Sequence, residues 1–231
     1  MKTDPAIIVA DDHPLYRLAL RLGIEVLAPQ ARILEVDSFQ SLQRTVQQAP
    51  VVDLVLLDLM MPGAVGLSSL QYLRDAFPSL SVAVVSALPT RSWLRLAQSL
   101  GAVAYIHKSA TPEQIVAILR HVLDGKHWWP PPDDPAIETG DTRLDRLSPQ
   151  ELRVLLQLRG GRLNKQIAER LGISESTVKT HVSAILGKLG LRSRTQAAVL
   201  AQQEFEWRHE SGLCSGVSGF GCKTGDQRGV H

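Results

Sequence analysis

Apolar and polar positions along the first half of the chain follow two alternating periods. Short apolar runs occur at five places, and an amphipathic stretch of roughly ten to fifteen residues with a helical period follows each of them. Strands that alternate with helices predict a doubly wound α/β domain, a five-stranded parallel sheet with helices on both faces. The predicted strands are Ile7–Ala10, Arg32–Val36, Asp53–Leu57, Val82–Ser86 and Ala102–Ile106.

Polar side chains follow the predicted strands at the edge where a parallel sheet binds its ligands. Asp11 and Asp12 follow the first strand, Asp58 the third, Ser86 ends the fourth, and Lys108 lies two residues beyond the fifth. We expect these side chains to converge on the carboxyl edge of the sheet. Close carboxylates repel each other unless a cation is present, and their oxygens suit Mg²⁺.

This set of side chains predicts phosphoryl transfer onto Asp58. An ionised carboxylate is nucleophilic without a general base, the metal would spread the transferred charge, and Lys108 would neutralise the anion. A hydroxyl at Ser86 is placed to donate to the same anion. A single aspartate at a strand end is equally well explained by a structural role, so the prediction depends on the whole set.

A proline-rich segment, Gly125–Arg143, separates this domain from a second one. A helix cannot continue through Pro130–Pro132, so we expect a stiff extended segment followed by a more flexible acidic one. Trp128 and Trp129 are candidates for packing on the edge of the first domain. The predicted organisation is a first domain over residues 4–126, a linker over 127–143, a second domain over 144–205 and a tail over 206–231.

Helical periods return in the second domain. Leu147–Leu158, Asn164–Leu171 and Glu175–Leu189 each have one apolar face, and a short turn containing Gly172 joins the second helix to the third. Two helices joined in this way predict a helix-turn-helix, within an all-α domain. The motif is only moderately specific, because many helical bundles contain similar turns.

The charge of the chain is concentrated in this second domain. Leu144–Leu200 holds 10 basic and 4 acidic residues, whereas Met1–Trp128 holds 11 of each. A basic domain joined to a neutral one indicates a polyanion-binding module, although a solvated basic surface is the simpler alternative. The third helix presents short hydroxyls and one lysine opposite its valines, side chains that reach base edges in a major groove: Ser176, Lys179, Thr180 and Ser183.

Composition places the protein in the cytoplasm. No apolar run approaches the ~18 residues of a membrane span, and the apolar stretch near the N-terminus is too short for a signal peptide. Both cysteines, Cys214 and Cys222, lie in the last eighteen residues, so the folded part needs no disulfide. The glycine- and serine-rich tail after Glu206 is predicted to be disordered, and its cysteines and histidines match no standard metal-site spacing.

Four segments of the first domain resemble the receiver domain of two-component response regulators. They are VADDHP, Asp58 with the following LMMPG, Ser86 after VAVV, and GAVAYIHKSATPEQI. The resemblance implies a flavodoxin-like fold in which Asp58 is the phospho-acceptor and Lys108 contacts the phosphoryl group. It further implies a pair of switch residues, Ser86 and Tyr105, and a Mg²⁺ site formed by Asp11, Asp12, Asp58 and the backbone carbonyl of Met60.

The second domain resembles the four-helix DNA-binding domain of the NarL/LuxR family of bacterial transcription regulators. The similar segments are LSPQELRVLLQLRGG, LNKQIAERLGISESTVKTHVSAILGKLGL and RSRTQAAVLA. The resemblance implies that Lys179 and Thr180 read bases, and that the last helix, Thr195–Gln203, makes a dimer contact. The implied phosphate contacts are Lys165, Thr177 and Lys188.

Together these patterns predict a response regulator and not an enzyme. A partner histidine kinase would phosphorylate Asp58, and this would control sequence-specific DNA binding and transcription by a homodimer that does not contact membranes. We hypothesise that the unphosphorylated first domain covers the recognition helix. Two alternatives remain: a constitutive DNA-binding regulator, and a Mg²⁺-dependent phosphatase using Asp58, although no second acid next to Asp58 is placed to protonate a leaving group.

Overall fold

The computed structural model describes residues 4–49, 51–87, 90–134, 137 and 143–205. Within them, the first domain contains five strands that alternate with five helices, as the two periods predict. The elements are β1 (Ala6–Ala10), α1 (Pro14–Leu27), β2 (Arg32–Val36), α2 (Phe39–Gln48), β3 (Leu54–Asp58), α3 (Leu67–Ala76), β4 (Ser81–Ser86), α4 (Arg91–Ser99), β5 (Ala104–His107) and α5 (Pro112–Leu123).

The five strands form one parallel sheet in the order β2-β1-β3-β4-β5, which confirms the predicted fold class. Helices cover both faces. Leu20 of α1 and Leu119 of α5 pack on one face, and Leu42, Leu70 and Leu96 of α2, α3 and α4 pack on the other. Because β1, β3 and β4 are buried on both sides, they read as continuous apolar runs in the sequence.

Two strands begin later than the sequence pattern indicates. β3 begins at Leu54, and just before it the carboxylate of Asp53 accepts a 2.8 Å hydrogen bond from the Ala6 amide at the start of the neighbouring strand. β5 begins at Ala104 and not at Ala102, because Ala102 still belongs to the turn after α4. Gly101 adopts a φ of 82° in that turn, and the Ala102 amide donates to the carbonyl of Ala97.

The second domain consists of α6 (Pro149–Arg159), α7 (Asn164–Leu171), α8 (Glu175–Leu189) and α9 (Arg194–Phe205), preceded by a short 3-10 helix, Arg143–Arg146. Gly172 ends α7 in the left-handed conformation, φ 65° and ψ 34°. The Ser174 hydroxyl then accepts from the Thr177 amide at 3.1 Å and begins α8. These two caps produce the tight turn of the predicted helix-turn-helix.

Trp128 extends the sheet at its β5 edge. Its amide donates to the carbonyl of Val103 at 3.0 Å, and its carbonyl accepts from the Tyr105 amide at 3.3 Å. The start of the predicted linker is therefore hydrogen-bonded to the first domain. No helix among the described residues is both long and apolar enough to cross a membrane.

The two domains pack against each other through α3 and α4 of the first and α6 and α7 of the second. The buried side-chain amides of Gln157 and Gln71 are joined by a 2.6 Å hydrogen bond. Arg95 of α4 donates to the carbonyls of Asp145 and Leu147, at 3.2 and 2.5 Å. One continuous apolar core includes residues of both domains, so the contact is an extension of the interior.

Candidate functional site

Three carboxylates meet at the carboxyl edge of the sheet. Asp58 is the last residue of β3, and Asp11 follows the neighbouring strand β1; both side chains are buried. Ligand atoms of Asp11, Asp12, Asp58 and His13 all lie within 4.8 Å of one another. The convergence expected from the strand ends is therefore present in the structure.

Lys108 lies between two of these carboxylates. Its Nζ is 2.8 Å from Oδ2 of Asp58 and 2.7 Å from Oδ2 of Asp11. A backbone hydrogen bond from Lys108 to the Ser86 carbonyl, 2.9 Å, fixes the loop that carries the lysine. The ring of Tyr16 lies 5.3 Å from the same Nζ, a cation–π arrangement. The ammonium group thus balances part of the negative charge of the crevice.

The environment of Asp58 sets its ionisation. Burial raises the pKa of this carboxyl above its ordinary value, and the negative charge of Asp11 acts in the same direction. The hydrogen bond and charge of Lys108 lower the pKa, as does the Met60 amide, which donates to Oδ1 at 2.9 Å. On balance the pKa of Asp58 is raised, because burial outweighs the stabilisation that Lys108 and the Met60 amide give to the ionised carboxylate.

The donor set fits a hard divalent cation. Oδ1 of Asp12 and Oδ2 of Asp11 are buried, and neither accepts a regular hydrogen bond. The Asp11 oxygen is ion-paired with Lys108, and Nδ1 of His13 lies 2.8 Å from the Asp12 oxygen. Asp12 is 28% exposed, so one side of the crevice is open to solvent. Carboxylate oxygens around a partly hydrated position are the ligands that Mg²⁺ prefers.

Two further groups lie around this crevice: His13, which from the sequence is better interpreted as a solvated loop histidine than as a metal ligand, and Arg17, which the sequence analysis did not identify. Nδ1 of His13 lies 2.8 Å from Oδ1 of Asp12 and 3.1 Å from Oδ1 of Asp11, although the ring is 65% exposed. Arg17 donates to the backbone carbonyl of Asp11 at 2.6 Å. Position in the sequence is the one signal that could have identified them, because His13 directly follows the acidic pair and Arg17 lies five residues after it.

Ser86 and Tyr105 form a buried pair beside the crevice. Ser86 ends β4, and Tyr105 lies in the adjacent strand β5 with its ring fully buried. Burial raises the pKa of Tyr105, a side-chain hydrogen bond with Ser86 opposes that shift, and the charge of Asp58 adds to it. The hydroxyl of Tyr105 is therefore linked to the side chain at the end of β4.

The predicted recognition face of α8 is open to solvent. Ser176, Lys179, Thr180 and Ser183 are all exposed, and Lys165 is exposed near the start of α7. The hypothesis that the first domain covers this helix is wrong for this structure. The first domain contacts α6 and α7 instead, through a shared apolar core, the bond between Gln71 and Gln157, and an ion pair between Arg170 and Asp75.

Two predicted phosphate contacts already have partners within the second domain. Nζ of Lys188 lies 2.7 and 2.9 Å from the two carboxylate oxygens of Glu151, whose side chain is only 7% exposed. The hydroxyl of Thr177 lies 2.8 Å from that of Ser174 in the α8 cap. Lys188 therefore stabilises the packing of α8 on α6 and is not a free cation.

Comparisons with known proteins agree with both halves of the fold. Residues 7–120 match the family described as response regulator receiver domain, and residues 145–201 match the bacterial regulatory proteins of the luxR family. The glycerol metabolism activator of Pseudomonas putida is 36% identical over 207 residues, covering 84% of this chain and 94% of its own length. The nitrate/nitrite response regulator protein NarL of Escherichia coli K12 is 33% identical over 210 residues, covering 87% and 97%.

A solved structure shows the same arrangement of elements. RcsB from Salmonella enterica serovar Typhimurium, bound to promoter rprA in the presence of the phosphomimetic BeF3-, superposes with a TM-score of 0.54 at 23% identity. The match covers 86% of this chain and 98% of that one. With its receiver fold and its LuxR-type helical domain, this chain belongs to the NarL/LuxR-type two-component response regulators.

Proposed function

We propose that Asp58 accepts a phosphoryl group from a partner histidine kinase and that this modification controls sequence-specific DNA binding and transcription. The observation that carries the proposal is the position of Lys108 between Asp58 and Asp11, in a chain that also presents an open recognition face. A buried nucleophilic carboxylate beside a fixed cation is the arrangement that phosphoryl transfer needs.

Each residue of the crevice has a distinct part in the proposal. An oxygen of Asp58 attacks the phosphorus, the P–N bond to the phosphorylated histidine of the kinase breaks, and the imidazole leaves. The Met60 amide holds Oδ1 and orients the carboxylate. Lys108 stays within reach of the transferred oxygens. Asp11, Asp12, Asp58 and the backbone carbonyl of Met60 would hold Mg²⁺, which when bound neutralises the charge that develops on the phosphoryl group.

The signal would leave the crevice through Ser86 and Tyr105. Phosphorylation adds up to about two negative charges beside the end of β4. The Ser86 hydroxyl would then donate to the phosphoryl group, and its present link to Tyr105 would change. Because the Tyr105 amide is bonded to Trp128, the linker would sense this change directly.

In the DNA-binding domain, Lys179 and Thr180 are proposed to read bases, with Ser176 and Ser183 on the same face of α8. Lys165, Thr177 and Lys188 are proposed to contact phosphates, and Lys188 would have to exchange its carboxylate partner for a DNA phosphate. A homodimer through α9, acting in the cytoplasm, completes the proposal. Phosphatase turnover is not favoured, because Asp11, the carboxylate beside Asp58, is engaged in an ion pair with Lys108.

A second candidate function is supported by one observation. The recognition face is exposed while Asp58 is unmodified, which favours some DNA binding without phosphorylation. In that case phosphorylation would change the affinity for DNA or the dimerisation of the protein, and it would not expose the recognition helix α8.

The test is selection of DNA from random-site pools by the full chain, with and without a small-molecule phosphodonor and Mg²⁺. The variants are Asp58→Asn and, as a matched control, Asp124→Asn, which alters an exposed carboxylate of the same domain. Tighter specific binding with phosphodonor, lost in D58N and kept in D124N, supports the switch. Identical binding in all samples would leave the constitutive regulator as the function.

A further inference from the structure

We propose that Arg17 is a positioning residue of the acidic crevice, which holds the loop between β1 and α1 so that Asp11 and Asp12 are in place to bind the metal. The inference rests on the proposed Mg²⁺ site and deepens it, because it names a side chain outside the ligand set on which metal affinity depends. Arg17 is the fourth residue of α1, and the loop directly precedes that helix.

The guanidinium group of Arg17 joins α1 to the loop and to the neighbouring strand. Nη1 donates a 2.6 Å hydrogen bond to the backbone carbonyl of Asp11, and Nε donates to Oε2 of Glu35 at 3.3 Å. Glu35 belongs to β2, which pairs with β1 beside the loop. The side chain of Arg17 is only 18% exposed. It is therefore a partly buried connection between three elements and not a solvated surface charge.

The loop begins where strand pairing ends. The last paired residue of β1 is Ala10, which lies opposite Val36 of β2 and Leu57 of β3. The residues that carry the two carboxylates lie beyond it, in the short connection to α1. Because the ladder of the sheet does not continue into this connection, its backbone groups need other partners, and Arg17 supplies one of them.

Both backbone groups of Asp11 are held by hydrogen bonds. Its amide donates to the carbonyl of Val36 at 3.1 Å, and its carbonyl accepts from Arg17. Because the peptide group is planar, fixing the Asp11 carbonyl also fixes the direction in which the chain continues into Asp12. The two Cα positions from which these carboxylates extend are thereby set relative to Asp58 on the adjacent strand.

The charge of Arg17 and its position predict opposite effects on metal binding. A cation near the crevice repels Mg²⁺, although the ion pair with Glu35 offsets part of this charge. If charge alone mattered, removal of Arg17 would strengthen Mg²⁺ binding. If the hydrogen bond to the loop matters, removal weakens it, because the carboxylates then have to be ordered when the metal binds. The sign of the change therefore separates the two effects, and we expect the second.

Two further variants separate position from charge. Arg17→Lys keeps the positive charge, but a single ammonium group on a flexible stem does not hold the Asp11 carbonyl and Glu35 from two fixed nitrogens as the guanidinium does. Arg21→Gln is the matched control. Arg21 lies one turn further along α1 and also reaches Glu35, at 3.4 Å, but its other hydrogen bond is to Glu25 on its own helix.

The test is thermal unfolding of the full chain over a range of Mg²⁺ concentrations at constant ionic strength. The dependence of the unfolding temperature on Mg²⁺ gives a dissociation constant for each variant, separately from its stability without metal. Arg17→Gln should raise this constant about tenfold or more, the usual effect of losing a group that orients metal ligands. Arg17→Lys should raise it by less, and Arg21→Gln should leave it unchanged.

Phosphorylation by a small-molecule phosphodonor gives a second readout. R17Q should need more Mg²⁺ than the wild type to reach its half-maximal rate, but its rate at saturating Mg²⁺ should equal that of the wild type. A merely structural role would instead lower the rate at every Mg²⁺ concentration, because part of the protein would be unfolded.

The outcomes distinguish this inference from the proposed function. Unchanged or tighter Mg²⁺ binding by R17Q, or a loss in R21Q as large as that in R17Q, would overturn the inference and leave the proposed function intact. If R17Q does not fold, wild-type affinity in R17K would overturn it in the same way. A wild type that binds Mg²⁺ but is not phosphorylated would refute the proposed function alone, and a wild type that binds no Mg²⁺ would refute both.

Discussion

The side-chain amide of Gln157 donates a 2.6 Å hydrogen bond to Oε1 of Gln71, and this bond crosses the boundary between the two domains. Both side chains are buried, at 1% and 7% exposure. Gln157 Oε1 accepts no hydrogen bond, so the pair is only partly satisfied. A buried amide that loses its partner carries the full cost of its desolvation.

Gln157→Ala should therefore lower the free energy of unfolding by about 1–3 kcal/mol. The measurement is urea denaturation of the full chain, followed separately for each domain. The double variant Gln71→Leu/Gln157→Leu, which removes both amides, should lie closer to the wild type. Additive losses in the complete mutant cycle would mean that the two residues do not interact.

The raised pKa of Asp58 makes the metal-free protein sensitive to pH. A carboxyl whose pKa is higher in the folded than in the unfolded state binds its proton more tightly when folded. It stabilises the fold below the unfolded pKa, and this contribution is lost as the pH rises through the folded pKa.

Asp58→Asn should consequently be more stable than the wild type at neutral pH in chelator, and the difference should shrink under acidic conditions. Thermal unfolding at several pH values measures this difference. A difference that grows as the pH falls would show that the fold stabilises the ionised carboxylate and that the pKa of Asp58 is not raised.

Magnesium should stabilise the receiver through the acidic crevice. At a concentration one hundred times its dissociation constant, a ligand that binds only the folded state adds about 2.7 kcal/mol. We expect Mg²⁺ to raise the melting temperature of the wild type and of Asp124→Asn, but not that of Asp12→Asn. An equal shift in all three proteins would place the metal elsewhere.

Lys188 is predicted to contribute to the stability of the DNA-binding domain as well as to DNA binding. Its bonds to Glu151, together with the amide of Ser148, keep the pKa of Glu151 below its ordinary value despite the burial that opposes them. A carboxyl whose pKa is lowered by folding stabilises the folded state at pH values above its pKa in the unfolded state. This contribution is lost as the pH falls through its pKa in the folded state.

Lys188→Gln should therefore destabilise the DNA-binding domain by about 1–2 kcal/mol at neutral pH, with a smaller loss in acid. Circular dichroism during thermal unfolding measures the effect. Lys179→Gln is the matched control, because Lys179 is exposed and its ion pair, with Glu175, lies on its own helix. If the two variants are equally stable, Lys188 does not stabilise the domain, and its proposed role is limited to phosphate contact.

The positions of the acids were predictable from the sequence because they depend on chain topology. Parallel strands align their carboxyl ends, so Asp58 after an apolar run and Asp11 after another must meet at one edge. The same logic places Ser86 and Lys108. The bounds of α7 and α8 were predictable because Gly172 and Ser174 act locally, within one turn of the helices they end and begin.

Contacts between distant neutral side chains were not predictable in this way. Gln71 and Gln157 are 86 positions apart, and nothing in the charge or period of a glutamine indicates its partner. The partner of Lys188 was missed for a related reason, since a lysine in the last turn of the recognition helix can contact a DNA phosphate or a buried carboxylate equally well. The hypothesis that the first domain covers α8 was wrong, because a sequence pattern does not indicate which surface of the second domain packs against the first.

The bond of Trp128 to the last strand has a consequence for where the receiver ends. A bare outer strand offers unpaired amides and carbonyls to any other strand, and proteins commonly cover such edges to avoid aggregation. Here the segment that leads to the DNA-binding domain covers β5 itself. A receiver cut at residue 126, the boundary that composition suggests, would lose this cover, so a soluble isolated receiver should extend beyond Trp128.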